Sequence, residues 1–124
     1  MSEFWDAPNL VSCSGLKAVD LFQAIGEGRI KALWIMATNP AVSLPDVNAV
    51  RRALSTCDFV VVSDCEDATD LTQYAHVRLP ALAWGEKDGT VTNSERLISR
   101  QRPFLPVPFE AKPDWWMVLS LIHI

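Results

Sequence analysis

At 124 residues the chain fits one domain, long enough to bury about two-thirds of the surface its unfolded form would expose. A formal net charge of -4 offers no basic field for a polynucleotide backbone, which sets nucleic-acid binding aside and leaves room only for a small anion held by a few local cations and N–H groups. Cys13, Cys57 and Cys65 lack Cys-x-x-Cys spacing, which argues against a disulfide framework or a metal cluster and for a reduced, cytoplasmic setting, and no apolar run nears the roughly 20 residues of a membrane helix.

Residues 1–14 carry no clear period, with Phe4, Trp5, Leu10 and Val11 scattered among polar residues, and read as irregular. From Leu16 the spacing changes. Leu16, Val19, Leu21, Phe22 and Ile25 fall largely on one helical face, after Ser14 as cap and before Gly26 and Gly28 as stop signals. Lys31 to Ala37 then reads as a buried strand, closed by Thr38-Asn39-Pro40, because a residue before proline is pushed out of the α region. Ala41 to Leu44 reads as a connection. Pro45-Asp46 opens a second helix with Val47, Val50 and Leu54 inward and Arg51 and Arg52 outward.

Phe59-Val60-Val61-Val62 is a continuous apolar run that stops abruptly at Ser63, Asp64 and Cys65, as a strand buried on both faces would. In an open parallel sheet the carboxyl end of such a strand borders the ligand crevice, where helix N-termini present free N–H groups. Next, Glu66, Asp67 and Asp70 predict the start of a short helix with Leu71 and Tyr74 on its apolar face, and His76 to Pro80 predicts a brief edge-like strand. Beyond Ala81 the periodicity is lost. Trp84 to Asn93 reads as a long loop, Ser94 to Arg102 as a charged stretch, and Pro103, Pro106, Pro108 and Pro113 as an extended loop leading to a helix capped by Asp114.

The order helix, strand, helix, strand with short connections predicts an α/β fold, an open and mainly parallel sheet with helices on both faces and a long loop after it. Two parallel neighbours would bring Asn39 and the Ser63-Asp64 pair to one edge. Residues 119–124, Leu-Ser-Leu-Ile-His-Ile, read as the translated product of a sequencing-library adapter and not as native sequence.

The segment WGEKDGTVTNSERLISRQR, Trp84 to Arg102, resembles a motif of the molybdopterin-guanine-dinucleotide oxidoreductases, most nearly of the catalytic subunits of bacterial assimilatory nitrate reductases. The resemblance runs back through FVVVSDC, IKALWIMATNPAVSLPD and GLKAVDLFQAI and forward to AKPDWW, so it covers roughly residues 15–118. It implies a Rossmann-like dinucleotide-binding domain, present here in part as an interior fragment and inactive alone. It further implies a parent enzyme that reduces nitrate to nitrite. That enzyme would carry molybdenum on a bis-molybdopterin guanine dinucleotide, have an iron–sulfur cluster outside this segment, and take electrons from a donor protein or reductase domain.

By this resemblance Asn39, Ser63, Asp64, Lys87 and Asp114 are cofactor contacts, with no catalytic residue and no metal ligand among them. An amide at Asn39 offers donor and acceptor, and an acid at Asp64 suits ribose hydroxyls or a guanine edge. Lys87 suits a phosphate or a guanine carbonyl, and Asp114 suits guanine. Each also has a plain reading: a turn asparagine before proline, a helix cap at Ser63, Asp64 or Asp114, a solvated lysine. Glu95 and Arg96 read as an internal ion pair, although Leu97 stands where the family has a second arginine. Arg100 and Arg102 read as a solvated or interdomain face, and Trp115 and Trp116 as packing against absent sequence. His76 and His123 lack partners at metal or triad spacing. The alternatives are a fragment of a related formate dehydrogenase and a stand-alone nucleotide-binding or interaction domain, the latter disfavoured by the missing glycine-rich phosphate fingerprint.

Overall fold

The computed structural model describes residues 2–6 and 8–123. A single turn, α1 (Ser2–Trp5), precedes α2 (Ala18–Gly26), β1 (Ala32–Met36), α3 (Pro40–Ser43), α4 (Val47–Thr56) and β2 (Phe59–Asp64). A 3₁₀ turn at Thr72–Tyr74 leads to β3 (Val77–Pro80). Then come β4 (Gly89–Thr92), β5 (Ile98–Gln101), α5 (Asp114–Ser120) and a last 3₁₀ turn at Leu121–His123.

The sheet is parallel throughout, in the order β1-β2-β3. Ala32 lies opposite Phe59 and Met36 opposite Ser63, while Val61 lies opposite Val77 and Asp64 opposite Pro80. Past β3 the ladder continues for one parallel bridge: Lys112 N donates to Pro80 O at 3.0 Å and Leu82 N to Lys112 O at 3.1 Å. A parallel sheet of this kind forms because β-branched runs fill a pleated, buried surface.

Strand alternation sends Ile35, Val60 and Val62 to one face, where they join Phe22 and Ile25 of α2 and Val50, Ala53 and Leu54 of α4 in a single core. The two helices also pack directly on each other. They therefore cover the same face, which corrects the expectation of helices on both faces and of a central strand buried on both. α4 covers that face as part of the crossover from β1 to β2, and α2 packs beside it through Phe22 and Ile25. On the other side Trp34 and Val61 are half-buried, and Phe59 is 44% exposed.

Local chemistry accounts for the remaining differences. Pro40 presets the first turn of α3, where only a connection is expected from sequence, and Asn39 O accepts from Val42 N and Ser43 N. Lys17, not Ser14, precedes α2, and it makes no side-chain cap bond. Asp46 does cap α4, its Oδ1 accepting from Ala49 N at 3.1 Å.

Glu66, Asp67 and Asp70 begin no α-helix. Asp64 Oδ1 takes the Glu66 N–H, Thr69 and Thr72 bond each other's backbone, and Asp70 pairs with Arg51 at 3.3 Å, so local side-chain bonds outcompete the helical ladder.

The expected loop from Trp84 to Asn93 is instead half of an antiparallel hairpin, β4 with β5, from Gly89 opposite Gln101 to Thr92 opposite Ile98. Asn93 builds its turn, Oδ1 accepting from Glu95 N at 2.9 Å and Leu97 N at 3.0 Å while Arg96 takes a left-handed φ of 64°. Among the described residues no ion pair joins Glu95 to Arg96. The hairpin's ion pair is Arg100 with Asp88, at 2.7 Å.

Truncating the fully buried Leu54 to alanine should cost about 2–5 kcal/mol, because the packed helix and sheet cannot close the space left behind. Val42→Ala, at a side chain 56% exposed, should stay within about 0.5 kcal/mol. Denaturant midpoints at equal slope check both.

Candidate functional site

Parallel pairing decides where the polar tips go. Beyond β1, Ala37 N donates to Ser63 O at 3.0 Å and Ala37 takes a left-handed φ of 52°, which turns Thr38 and Asn39 over the carboxyl edge of the sheet. Beside it, Asp64 O accepts from Ala81 N at 2.9 Å. The bridge through Lys112 carries the chain to that edge a third time, two residues before Asp114.

Lys87 arrives from the turn ahead of the hairpin. Glu86 Oε2 accepts from Ala83 N at 2.8 Å, and the Gln101 amide donates to the Trp84 carbonyl. Gly85 O accepts from both Phe104 N and Leu105 N, at 2.9 and 3.0 Å. A Cβ on Gly85 would lie 2.9 Å from the Leu105 and Phe104 side chains, so glycine allows the proline-rich strap to cross closely.

These elements enclose a cavity of about 420 Å³, lined in part by Asn39, Asp64, Lys87 and Asp114. Four of the five residues singled out from sequence therefore meet in one place. Ser63 does not line it. Only 1% exposed, it accepts a bond at Oγ from Trp34 Nε1 at 2.6 Å.

Two acceptors in this cavity are buried and without a partner, Asn39 Oδ1 and Asp114 Oδ1. Leaving such an atom unsatisfied costs about 1–3 kcal/mol, a cost that a donor reaching it would relieve. The second Asp114 oxygen lies 3.7 Å from Lys87 Nζ. Asp64 spends Oδ1 on Glu66 N at 3.2 Å in a local turn. Together the groups suit a ligand with adjacent N–H donors and a nearby carbonyl or anionic oxygen.

Asn39 caps α3 with its backbone carbonyl and makes no side-chain cap bond. Asp114 is the first residue of α5, with Pro113 before it and no side-chain cap bond to that position. Asp64 closes a turn and no α-helix. Arg100 pairs within the hairpin, Trp115 and Trp116 are exposed, and His76 accepts at Nδ1 from Val60 N at 3.0 Å.

Sequence reasoning passed over Thr38, Cys65, Glu66 and Thr69, which also line the cavity. Their nearness to the Asn39 and Asp64 tips was the available signal. Partial desolvation first, and the neighbouring Asp64 charge second, push the thiol of the exposed Cys65 above its usual pKa. Among the described residues no cluster of three or more His, Cys, Asp or Glu could hold a metal ion, and no helix is long and apolar enough to cross a membrane. A groove of about 490 Å³ between α2 and α4 is mostly apolar and contains neither of the cavity's two unpartnered acceptors.

Residues 6–123 match the family model described as molybdopterin oxidoreductase. The chain is 58% identical over 118 residues to a nitrate reductase of Klebsiella oxytoca, covering 95% of this chain and 14% of that protein. It is 51% identical to a nitrate reductase of Shewanella frigidimarina, covering 95% of this chain and 13% of the relative. The alpha subunit of an F420-dependent formate dehydrogenase of Methanococcus maripaludis is 39% identical, covering 98% of this chain and 18% of that protein. The chain thus spans less than a fifth of the length of these relatives.

A raised thiol pKa leaves less thiolate at a given pH. Iodoacetamide at pH 8 should therefore alkylate Cys65 more slowly than a free-cysteine peptide, and Asp64→Asn should speed it. Mass spectrometry of the peptide carrying Cys65 follows both rates.

Proposed function

The chain belongs to the molybdopterin oxidoreductase family, and from that premise we propose that it is part of a molybdenum enzyme reducing nitrate to nitrite, its cavity holding one guanine-dinucleotide arm of a bis-molybdopterin guanine dinucleotide. The observation that carries this reading is the pair of buried, unpartnered acceptors at Asn39 and Asp114 beside the Lys87 ammonium.

Guanine offers N1–H and a 2-amino group side by side with a carbonyl next to them. A carboxylate complements the first two and an ammonium the third. Asp114 and Lys87 supply that set, and Asn39 Oδ1 accepts one more donor from the nucleotide or the pterin. Asp64, with one oxygen held in its turn, directs the other to ribose hydroxyls, as acids at strand tips do in Rossmann-like sheets. Ser63 contributes through its place in the strand, its hydroxyl tied to Trp34 so that the Asp64 peptide stays at the edge.

When bound, the molybdenum centre supplies oxygen-atom transfer, while this chain contributes position and electrostatics and no acid, base or nucleophile. The remainder of the polypeptide carries the metal ligands and an iron–sulfur cluster. An electron-donor protein or reductase domain is its partner, neither nucleic acid nor membrane is bound, and its location is cytoplasmic. Nitrate is favoured over formate because the two nitrate reductase relatives, at 58% and 51% identity, exceed the formate dehydrogenase relative at 39%.

In the full-length enzyme, Asp114→Asn and Asn39→Ala should each weaken cofactor retention by about tenfold or more, the worth of a charge-assisted or buried hydrogen bond. Molybdenum content and guanine nucleotide released by acid should fall together, and nitrate reduction with them. Full cofactor content with unaltered nitrate reduction in both variants would overturn the reading, and turnover of formate with none of nitrate would overturn the substrate.

A further inference from the structure

We propose that Trp34 is a positioning residue of the cofactor site, acting through Ser63 to hold Asn39 and Asp64 in fixed relation to one another, an assignment that rests on the guanine-dinucleotide reading of the cavity. Trp34 does not line that cavity. It stands on the sheet face away from α2 and α4, opposite Val61, while Ser63 stands opposite Met36. The indole therefore reaches across one strand and along two residues to bring Nε1–H to Ser63 Oγ, at 2.6 Å.

Neither partner is what packing by itself would select. Ser63 follows Phe-Val-Val-Val in β2 and is 1% exposed, and a buried hydroxyl is costly unless it is bonded. A phenylalanine at position 34 would fill the same half-buried face without an N–H to place. Two apolar side chains in the stead of a bonded polar pair are often nearly neutral for stability, so burial gives no reason for this pair. What the bond adds is direction. It admits one arrangement of the two side chains where apolar packing tolerates several.

Ser63 is where direction matters. Its carbonyl accepts from Ala37 N at 3.0 Å, the bond that closes β1 and precedes the left-handed turn, φ 52° at Ala37, that carries Thr38 and Asn39. Asp64 starts from the same peptide and fixes its own carbonyl on Ala81 N at 2.9 Å. A rotation of Ser63 would thus displace the Asn39 and Asp64 tips together. Lys87 and Asp114 come from the turn before the hairpin and from α5, pair with each other, and among the described residues share no hydrogen bond with Trp34 or Ser63.

The test uses the full-length enzyme. Trp34→Phe keeps a ring and removes the donor, and Ser63→Ala removes the acceptor. Each should speed cofactor loss about fivefold or more, read as molybdenum and guanine nucleotide retained through gel filtration, and the double variant should lose it no faster than either single one. The Trp34→Phe effect should be less than multiplicative with Asn39→Ala and fully multiplicative with Asp114→Asn. In the cofactor-free protein, Trp34→Phe should raise hydrogen exchange at the Ala37 amide and leave Phe59, bonded to Lys31 O at the far end of the ladder, unchanged. Normal cofactor retention in Trp34→Phe, with Asn39→Ala or Asp114→Asn losing it, would overturn the proposal. So would Trp34→Phe and Ser63→Ala effects that multiply fully, equal behaviour toward Asn39→Ala and Asp114→Asn, or unaltered exchange at Ala37. Cofactor loss in none of the variants, with Ala37 exchange raised, would instead overturn the guanine-dinucleotide reading and leave the tether standing.

Discussion

The parallel ladder between β1 and β2 is the constraint on which everything else in this chain rests. Ala32 to Met36 against Phe59 to Ser63 is a short run, yet its direction brings both strands' carboxyl ends to one edge. Had the two strands run antiparallel, Asn39 and Asp64 would stand at opposite ends of the sheet. The core enforces the register. Ile35, Val60 and Val62 share one apolar face with α2 and α4, and a one-residue slip would turn that face away from the helices.

The edge so formed is polar in a particular way. It includes two acceptors with no internal donor and a carboxylate only 3.7 Å from an ammonium. Asn39 and Asp114 stand at the starts of α3 and α5, where a short polar side chain commonly takes an adjacent backbone N–H. Neither does so.

Legibility from sequence followed the strength of the apolar pattern. The central run Phe59 to Val62, the helix with Val50 and Leu54, and the strand ending in Thr38-Asn39-Pro40 were plain because burial imposes periodicity. The hairpin was not. Thr90, Val91 and Thr92 alternate, but both strands are short and largely exposed, and the turn depends on one asparagine side chain serving two N–H groups. The acidic run after Asp64 misled for a related reason, since charges that favour a helix start also bond their own backbone. In the site, resemblance and strand-tip logic named Asn39, Asp64, Lys87 and Asp114, while Cys65 and Thr69 carried no pattern of their own.

What the residues alone determined was a parallel α/β arrangement, the strand tips that would be polar, and the family to which the blocks from Gly15 to Trp116 correspond. Those follow from local rules, from hydrophobic period, proline and glycine, and from matched motifs. Only the tertiary structure decided that both long helices share one face, that Ser63 turns to Trp34 while Asp64 borders the cavity, and that Lys87 and Asp114, 27 positions apart in the chain, become an ion pair in a common wall. The physical reason is that crossover handedness, strand parity and the crossing of the proline-rich strap over Gly85 are properties of how elements meet. No window of sequence contains both partners of such a meeting.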